Sequence, residues 1–146
     1  MPTAGQTLPP HRVRAHNAAT ASENKIHDDT VARRHGFAGG LVPGITVFGY
    51  LTSPVVEAWG AAWLERGFMT ARFRQPIYEG DEVFIAGTSG SDGDVMTAEL
   101  EARNEKGGVC AVASARLGAD RPEAPSLDGY PEAARPTQPY EPAPEA

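Results

Sequence analysis

Polar side chains concentrate in residues 15–44, ahead of the longest apolar stretch of the chain. An imidazole gains and loses a proton near neutral pH, and hydroxyl, amide and carboxyl groups can hold a water beside it. The densest group of such side chains comprises Ser22, Glu23, Asn24, His27, Asp28 and Asp29. This group suits proton transfer. The alternative interpretation is that the histidine is structural and that the asparagine belongs to a turn.

Metal chemistry is not predicted. The spacings of the four histidines, His11, His16, His27 and His35, match no common ligand pattern. The single cysteine, Cys110, excludes an intrachain disulfide and a cysteine-based metal site. It falls in an alternating apolar run, which favours a small buried hydrophobe on a strand over a reactive thiol. We therefore expect neither a metal nor another cofactor.

The elements that must position these side chains begin with a helix. Residues 29–34 predict a short helix within the polar segment, with Asp29 as its N-cap. Residues 45–64 are apolar almost all round and carry one charge, Glu57, which is typical of a helix buried on most of its surface. Pro54 is expected to kink or split this helix, and Gly67 to follow its end.

After the helix the apolar period changes to two. Four strands are predicted, separated by the turn sequences EGD, GSDGD and EKGG: residues 68–78, 81–89, 94–104 and 108–117. The short alternation within residues 7–14 also predicts a first strand, although its pattern is less regular than that of the other four. Four consecutive strands with tight connections indicate an antiparallel meander, and the buried helix must cover one of its faces. This α+β arrangement, a curved antiparallel sheet around a long central helix, is the hot-dog architecture.

The C-terminal segment has a different composition. It is rich in proline and acidic residues, and such a sequence buries too little apolar surface to offset the entropy of ordering. The predicted division is one domain over residues 1–118 and an acidic tail over residues 119–146. The alternative is an extended arm whose Tyr130 and Tyr140 pack on the domain or on a partner subunit.

Two motifs carry a family resemblance over residues 7–117. The first is SENKIHDD with the glycine-rich GFAGGLVPG that follows it, and the second is RFRQPIYEGDEV. They resemble the signature of the MaoC-like (R)-specific enoyl-CoA hydratases and dehydratases, which are hot-dog proteins. The resemblance implies reversible hydration of a 2-enoyl group carried as a thioester on CoA or on an acyl carrier protein. It also implies a homodimer, which would cover the exposed sheet edges and complete the site.

The resemblance assigns roles to residues of this chain. It places the family's catalytic histidine at His27 and an orienting asparagine at Asn24. The family glycine at the start of the central helix falls at Gly44, whose N–H is expected to meet the thioester oxygen at the positive end of the helix dipole. Gly40, Val42 and Pro43, just before it, are expected to line the substrate.

The chain departs from the family at the second catalytic group. Ser22 stands where the family has its acidic residue, and Lys25 follows the asparagine in place of proline. Glu23 is the first candidate for a replacement carboxylate, and Asp28 and Asp29 are the others. With no carboxylate at all, Ser22, Asn24 and His27 would position the water. A non-catalytic thioester-binding protein or partner subunit, and less favourably a thioesterase, are the alternative functions.

Charge and hydropathy exclude further classes. The net charge of −6 argues against a general affinity for nucleic acid or an anionic membrane. No apolar run approaches the roughly 18 residues that a membrane-spanning helix needs, and the N-terminus lacks the apolar core of a signal peptide. The sequence therefore predicts a cytoplasmic protein. Arg72 and Arg74 lie on one side of a predicted strand, either in a solvated surface or facing a phosphate-bearing carrier.

Overall fold

A computed structural model describes residues 5–135 and residue 137. Along the chain, a first strand is followed by three helices and then by four further strands. The helices are α1 (Asp29–Arg34), α2 (Gly44–Trp59) and α3 (Ala61–Arg66). The strands are β1 (His11–Arg14), β2 (Gly67–Phe73), β3 (Glu82–Asp92), β4 (Val95–Asn104) and β5 (Val109–Leu117).

All five strands form one antiparallel sheet in the order β1-β3-β4-β5-β2. The turns predicted between β3, β4 and β5 are confirmed, and Gly93 and Gly107 adopt the positive φ angles that such tight turns favour. Together with the helix that covers one face, this sheet confirms the predicted α+β architecture.

The predicted four-strand meander is wrong in one respect. β2 pairs with β5 and not with β3, which follows it in sequence. Residues 74–81 cross the sheet to β3, which lies between β1 and β4. The predicted EGD turn does form at the end of this segment, where the Asp81 N–H donates to the Tyr78 carbonyl at 3.2 Å, but it does not join two paired strands. Pro76 has no N–H to extend a ladder, and the Ile77 carbonyl accepts instead from the Val42 N–H at 2.8 Å. The crossing segment thus pairs with the chain that leads into α2.

The core lies between α2 and the inner face of the sheet. Leu51 and Val55 are fully buried, and each such side chain contributes about 1.5–3 kcal/mol of hydrophobic free energy. The facing sheet positions are mostly small, which lets the helix approach closely: Ala98, Ala102, Ala111, Ala113 and Ala115. Cys110 is buried on β5, as predicted, and burial raises the pKa of its thiol.

The central helix is not split at Pro54, which was one of the two outcomes that the sequence left open. Pro54 lies inside α2 and is buried, and the helix instead ends at Gly60, whose φ of 65° is open to glycine alone without strain. The helix continues through the proline, although the Tyr50 carbonyl loses the donor it would have had. α3 then ends at Gly67, as predicted, with the Gly67 N–H bonded to the Trp63 carbonyl.

Beyond β5 the described chain has no helix or strand, and Tyr130 is 74% exposed. The predicted boundary at residue 118 stays a prediction, and Tyr140 lies outside the described residues. Within the described ranges, no helix is both long and apolar enough to cross a membrane.

Candidate functional site

His27 ends a 3-10 turn (Lys25–His27) and is half-buried. Its Nδ1 lies 2.6 Å from the Leu41 carbonyl oxygen. A carbonyl can only accept a hydrogen bond, so Nδ1 carries the proton and donates it. Whenever the ring is neutral, Nε2 is therefore the nitrogen that keeps a lone pair and can act as a base.

The backbone on either side of His27 is held to the loop that leads into α2. The Leu41 N–H donates to the Ile26 carbonyl at 3.1 Å, which makes the contact between the two segments reciprocal. The Asn17 side chain, which is 95% buried, donates from Nδ2 to the His27 carbonyl at 2.9 Å. Its Oδ1 accepts from the Ala19 N–H. Asn17 therefore holds the backbone of His27, whereas Leu41 holds its ring.

Glu79 supports Asn17 in turn. Its carboxylate accepts from the Asn17 N–H and lies 3.2 Å from Nδ1 of His16. The bond from Asn17 and then that from His16 hold the pKa of the Glu79 carboxyl below its ordinary value. The carboxylate is thus ionised, and available as an acceptor, at neutral pH. Sequence reasoning missed both Asn17 and Glu79, because a loop asparagine and a surface glutamate carry no signal of this pairing.

The predicted carboxylates have other partners, or none. Asp28 is the N-cap of α1 and accepts from the Thr30 and Val31 N–H groups at 2.9 and 3.1 Å. The prediction that Asp29 is the cap is wrong, because the extended backbone lies at residue 28. Asp29 instead accepts from the Gly40 N–H at 2.7 Å. Glu23 is exposed and makes no hydrogen bond or ion pair within the described chain.

Ser22 and Asn24 bond to their own loop. The Ser22 hydroxyl donates to the Asn24 carbonyl at 3.1 Å, and Asn24 caps the 3-10 turn through a 3.4 Å bond from the Ile26 N–H to its Oδ1. The Asn24 amide nitrogen has no partner among the described residues. Both side chains thus shape the turn that ends in His27, and the imidazole has no carboxylate bonded to it in this part of the chain.

A cavity of about 300 Å³ lies at the start of α2. Gly44 is the first helical residue, and the N–H groups of a first turn have no acceptor within the helix. A Cβ at Gly44 would stand 3.3 Å from the Phe73 ring, so glycine keeps this wall open. Leu41 lines the cavity and holds His27, although His27 itself does not line it. The other apolar walls are Phe37, Val42, Val47, Phe73 and Ile77.

Only some of the residues predicted to contact the substrate line the cavity at the start of α2. Val42 and Gly44 line the cavity, and Pro43 between them is the N-cap of α2. Gly40 is buried with its N–H bonded to Asp29, and a Cβ there would overlap the His27 carbonyl. Gly40 therefore supports His27 and does not face the cavity.

A larger cavity of about 410 Å³ lies at the opposite end of the helices, beside Ala58, Trp59 and Ala62. Arg66, one of its two charged residues, already donates to the Gly118 carbonyl at 2.9 Å. We place the candidate site in the smaller cavity, because the free helix N-terminus and the His27 loop meet there. No group of three or more metal-ligating side chains converges within the described residues.

Comparison with known proteins rests on structure. No protein-family model matches the sequence, and no curated protein matches it. One chain of the ChsH1–ChsH2 complex from Mycobacterium tuberculosis superposes with a TM-score of 0.68 at 21% identity, over 81% of this chain and 98% of that chain. R-hydratase PhaJ1 from Pseudomonas aeruginosa gives 0.64 at 15% identity, over 90% and 91%.

A MaoC-like dehydratase from Rhodospirillum rubrum superposes with a TM-score of 0.61 at 18% identity, over 83% of this chain and 94% of that chain. The chain has the hot-dog fold of the MaoC-like dehydratases and R-hydratases. The superposition includes almost the full length of each of these chains, so the match extends beyond a shared helix and sheet. At such identities it establishes the fold, and the function depends on the site.

Proposed function

We propose that this hot-dog protein is a MaoC-like acyl-thioester hydratase or dehydratase. The observation that carries the proposal is the 2.6 Å contact between His27 Nδ1 and the Leu41 carbonyl, since it makes Nε2 the nitrogen that can act as a base and ties His27 to a residue that lines the cavity at the start of α2. R-hydratase PhaJ1 and the MaoC-like dehydratase share the fold, which supports the same class of reaction.

In the proposed hydration, His27 Nε2 takes a proton from a water as its oxygen attacks C3 of the 2-enoyl thioester. The electron pair of the double bond moves toward the thioester oxygen, where the Gly44 N–H and the helix dipole stabilise the charge. The imidazolium then returns a proton to C2, which restores the neutral ring. Asn24 and Ser22 orient the water, and Glu23 stays the first candidate for an added carboxylate.

A purified-protein assay tests this function. A panel of 2-enoyl-CoAs, from crotonyl to medium chain, is followed by loss of enoyl absorbance and by release of free thiol. We expect absorbance to fall without thiol release. Thiol release would identify a thioesterase, and no change on any substrate would favour the second candidate.

The second candidate is a non-catalytic acyl-thioester-binding protein or partner subunit. The missing carboxylate favours it, because Ser22 occupies the family's acidic position and the His27 ring has no carboxylate partner in the described chain. This candidate predicts saturable binding of an acyl-CoA with no conversion.

We also propose a homodimer that uses β2. Both β1 and β2 are sheet edges, and an uncovered edge strand offers unpaired backbone groups to another chain. β2 also exposes apolar area at its two ends, with Phe68 48% and Phe73 53% exposed. Ile45, which follows Gly44 in α2, is 78% exposed and adds a further apolar side chain to the surface of the domain.

Replacement of Ile45 by Asp is expected to raise the dimer dissociation constant about tenfold or more, because a charge at the covered surface must be desolvated. The measurement is molar mass by light scattering across a dilution series. Leu127→Asp is the matched control, since Leu127 is 77% exposed but lies in the segment after β5. An equal effect of both variants, or a monomeric wild-type chain, would contradict this interface.

A further inference from the structure

Residues 77–81, at the end of the segment that crosses to β3, are bonded to both of the chain segments that contact His27. On the side of the imidazole, Leu41 and Tyr78 form an isolated antiparallel bridge. This bridge fixes the residue whose carbonyl accepts from the His27 ring. The position of the crossing segment therefore determines where the ring finds its acceptor.

The same segment is bonded to the end of β1. The Gly80 N–H donates to the Ala15 carbonyl at 2.8 Å, and the Ala15 N–H donates to the Asp81 carbonyl at 2.8 Å. Gly80 has a φ of 80°, which glycine adopts without strain. This reciprocal pair of bonds brings Glu79, inside the turn, against Asn17, which lies two residues beyond Ala15.

Asn17 links this turn to His27. Its N–H donates to the Glu79 carboxylate, and its Nδ2 donates to the His27 carbonyl at 2.9 Å. The Oδ1 atom accepts from the Ala19 N–H at 3.1 Å, so both ends of the buried amide are bonded. A buried polar side chain whose partners are all in place has one defined orientation. A Cβ at Gly40 would stand 3.1 Å from Nδ2, so the chain leading into α2 packs against the same amide.

The two contacts of the Glu79 carboxylate differ in their surroundings. One oxygen accepts from the Asn17 N–H, and the other lies 3.2 Å from Nδ1 of His16. Both His16 and Glu79 are exposed, and an ion pair between exposed side chains contributes little. The bond to Asn17 is partly buried, and it is the one that reaches toward His27.

We propose that Asn17 and Glu79 are positioning residues for His27. Glu79 orients Asn17, and Asn17 fixes the turn from which the imidazole reaches Leu41. A neutral imidazole can carry its proton on either nitrogen, and the bond to the Leu41 carbonyl holds that proton on Nδ1. This inference rests on the proposed function, in which Nε2 is the base. Together the two residues set the fraction of rings whose Nε2 is unprotonated and correctly placed.

Nitrogen-15 NMR of the imidazole rings tests the positioning without a substrate. The labelled full chain is observed at about pH 8.5, where histidine side chains are neutral. The His27 signals are identified by their loss in His27→Ala. In wild type we expect Nδ1 to have the shift of a protonated nitrogen and Nε2 that of an unprotonated one. In Asn17→Ala and Glu79→Ala the two shifts should move toward each other, because the ring then exchanges between tautomers.

Steady-state kinetics on the best enoyl-CoA of the panel gives a second readout. Asn17→Ala should lower kcat by about ten- to a hundredfold, as expected when a catalytic group is displaced by about 1 Å. Glu79→Ala should lower kcat by about threefold or more, since one hydrogen bond is lost. KM should stay near its wild-type value in both, because neither residue lines the cavity at the start of α2. Glu79 is exposed, so Glu79→Ala keeps the test decisive if Asn17→Ala does not fold.

Two controls separate the hydrogen bond from the ion pair. Glu79→Gln keeps an acceptor for the Asn17 N–H without the charge, and it should restore the wild-type shifts and kcat. His16→Ala removes the other partner of Glu79, keeps the backbone bond from residue 16 to the Tyr50 hydroxyl, and should also match wild type. Losses in either control as large as those in Glu79→Ala would overturn the inference. Wild-type shifts in both Asn17→Ala and Glu79→Ala would also overturn it.

The NMR shifts and the turnover separate this inference from the proposed function. A wild-type protein that hydrates no enoyl thioester, but whose His27 shifts converge in Glu79→Ala, retains the positioning roles and loses the hydratase. A protein that hydrates enoyl thioesters, with shifts and kcat unchanged in Asn17→Ala and Glu79→Ala, retains the hydratase and loses the inference.

Discussion

His27→Ala is expected to lower kcat for enoyl-CoA hydration about a hundredfold or more, the usual effect of removing a general acid-base group. The reason is geometric. Nδ1 donates to the Leu41 carbonyl, so the ring is held in one tautomer with Nε2 as the base. No carboxylate is bonded to His27 in the described chain, so none is in place to act as the base when the imidazole is removed. KM should change less than kcat, because the cavity walls do not include His27.

The matched control is His35→Ala. His35 is exposed after α1, and its hydrogen bonds are made by its backbone, so turnover should match wild type. Steady-state rates on the best enoyl-CoA of the panel give both constants. A His27→Ala enzyme that turns over at the wild-type rate would remove His27 from the mechanism, and equal losses in the two variants would point to a general effect on folding.

The second large effect is expected at Gly40. A Cβ built there would stand 2.7 Å from the His27 carbonyl carbon and closer still to its oxygen, and 3.1 Å from Asn17 Nδ2. Backbone atoms cannot move aside as a flexible side chain does, so Gly40→Ala must displace the His27 turn. We expect a loss of about 1–3 kcal/mol in the free energy of unfolding, as for other overpacked sites. We also expect a fall in kcat, because the bond from His27 to Leu41 shifts.

Gly49→Ala is the control for Gly40→Ala. Gly49 lies inside α2, and a Cβ there meets nothing within 4 Å. Alanine at that position should leave turnover unchanged and stabilise the helix by about 0.5–1 kcal/mol. Urea unfolding and steady-state kinetics on both variants make the comparison. A Gly40→Ala protein as stable and as active as wild type would show that the turn tolerates displacement.

Much of the fold follows from local patterns. Period-two alternation and glycine turns predicted β3, β4 and β5 close to their observed bounds, and the apolar stretch predicted the central helix. The short helix at residues 29–34 was also predicted. These elements are determined by interactions between residues that are close in sequence, which a single sequence displays directly.

Long-range packing decided the rest. β2 reaches β5 because the crossing segment bonds to Val42, and α2 continues through Pro54 because its burial against the sheet outweighs one lost hydrogen bond. Neither contact leaves a periodic trace in the sequence. The same limit applies to Asp28 and Asp29, because the backbone conformation at a single residue determines which carboxylate caps the helix.

The sequence by itself determined the α+β fold, the central helix and the polar segment that holds His27. Only the tertiary structure decided that the His27 ring donates to Leu41, that Asn17 and Glu79 hold the turn, and that Leu41 lines the cavity at the start of α2. The physical reason is that each of these arrangements joins groups far apart in sequence. Their hydrogen bonds and charges meet only after the sheet and helix have brought the loops together.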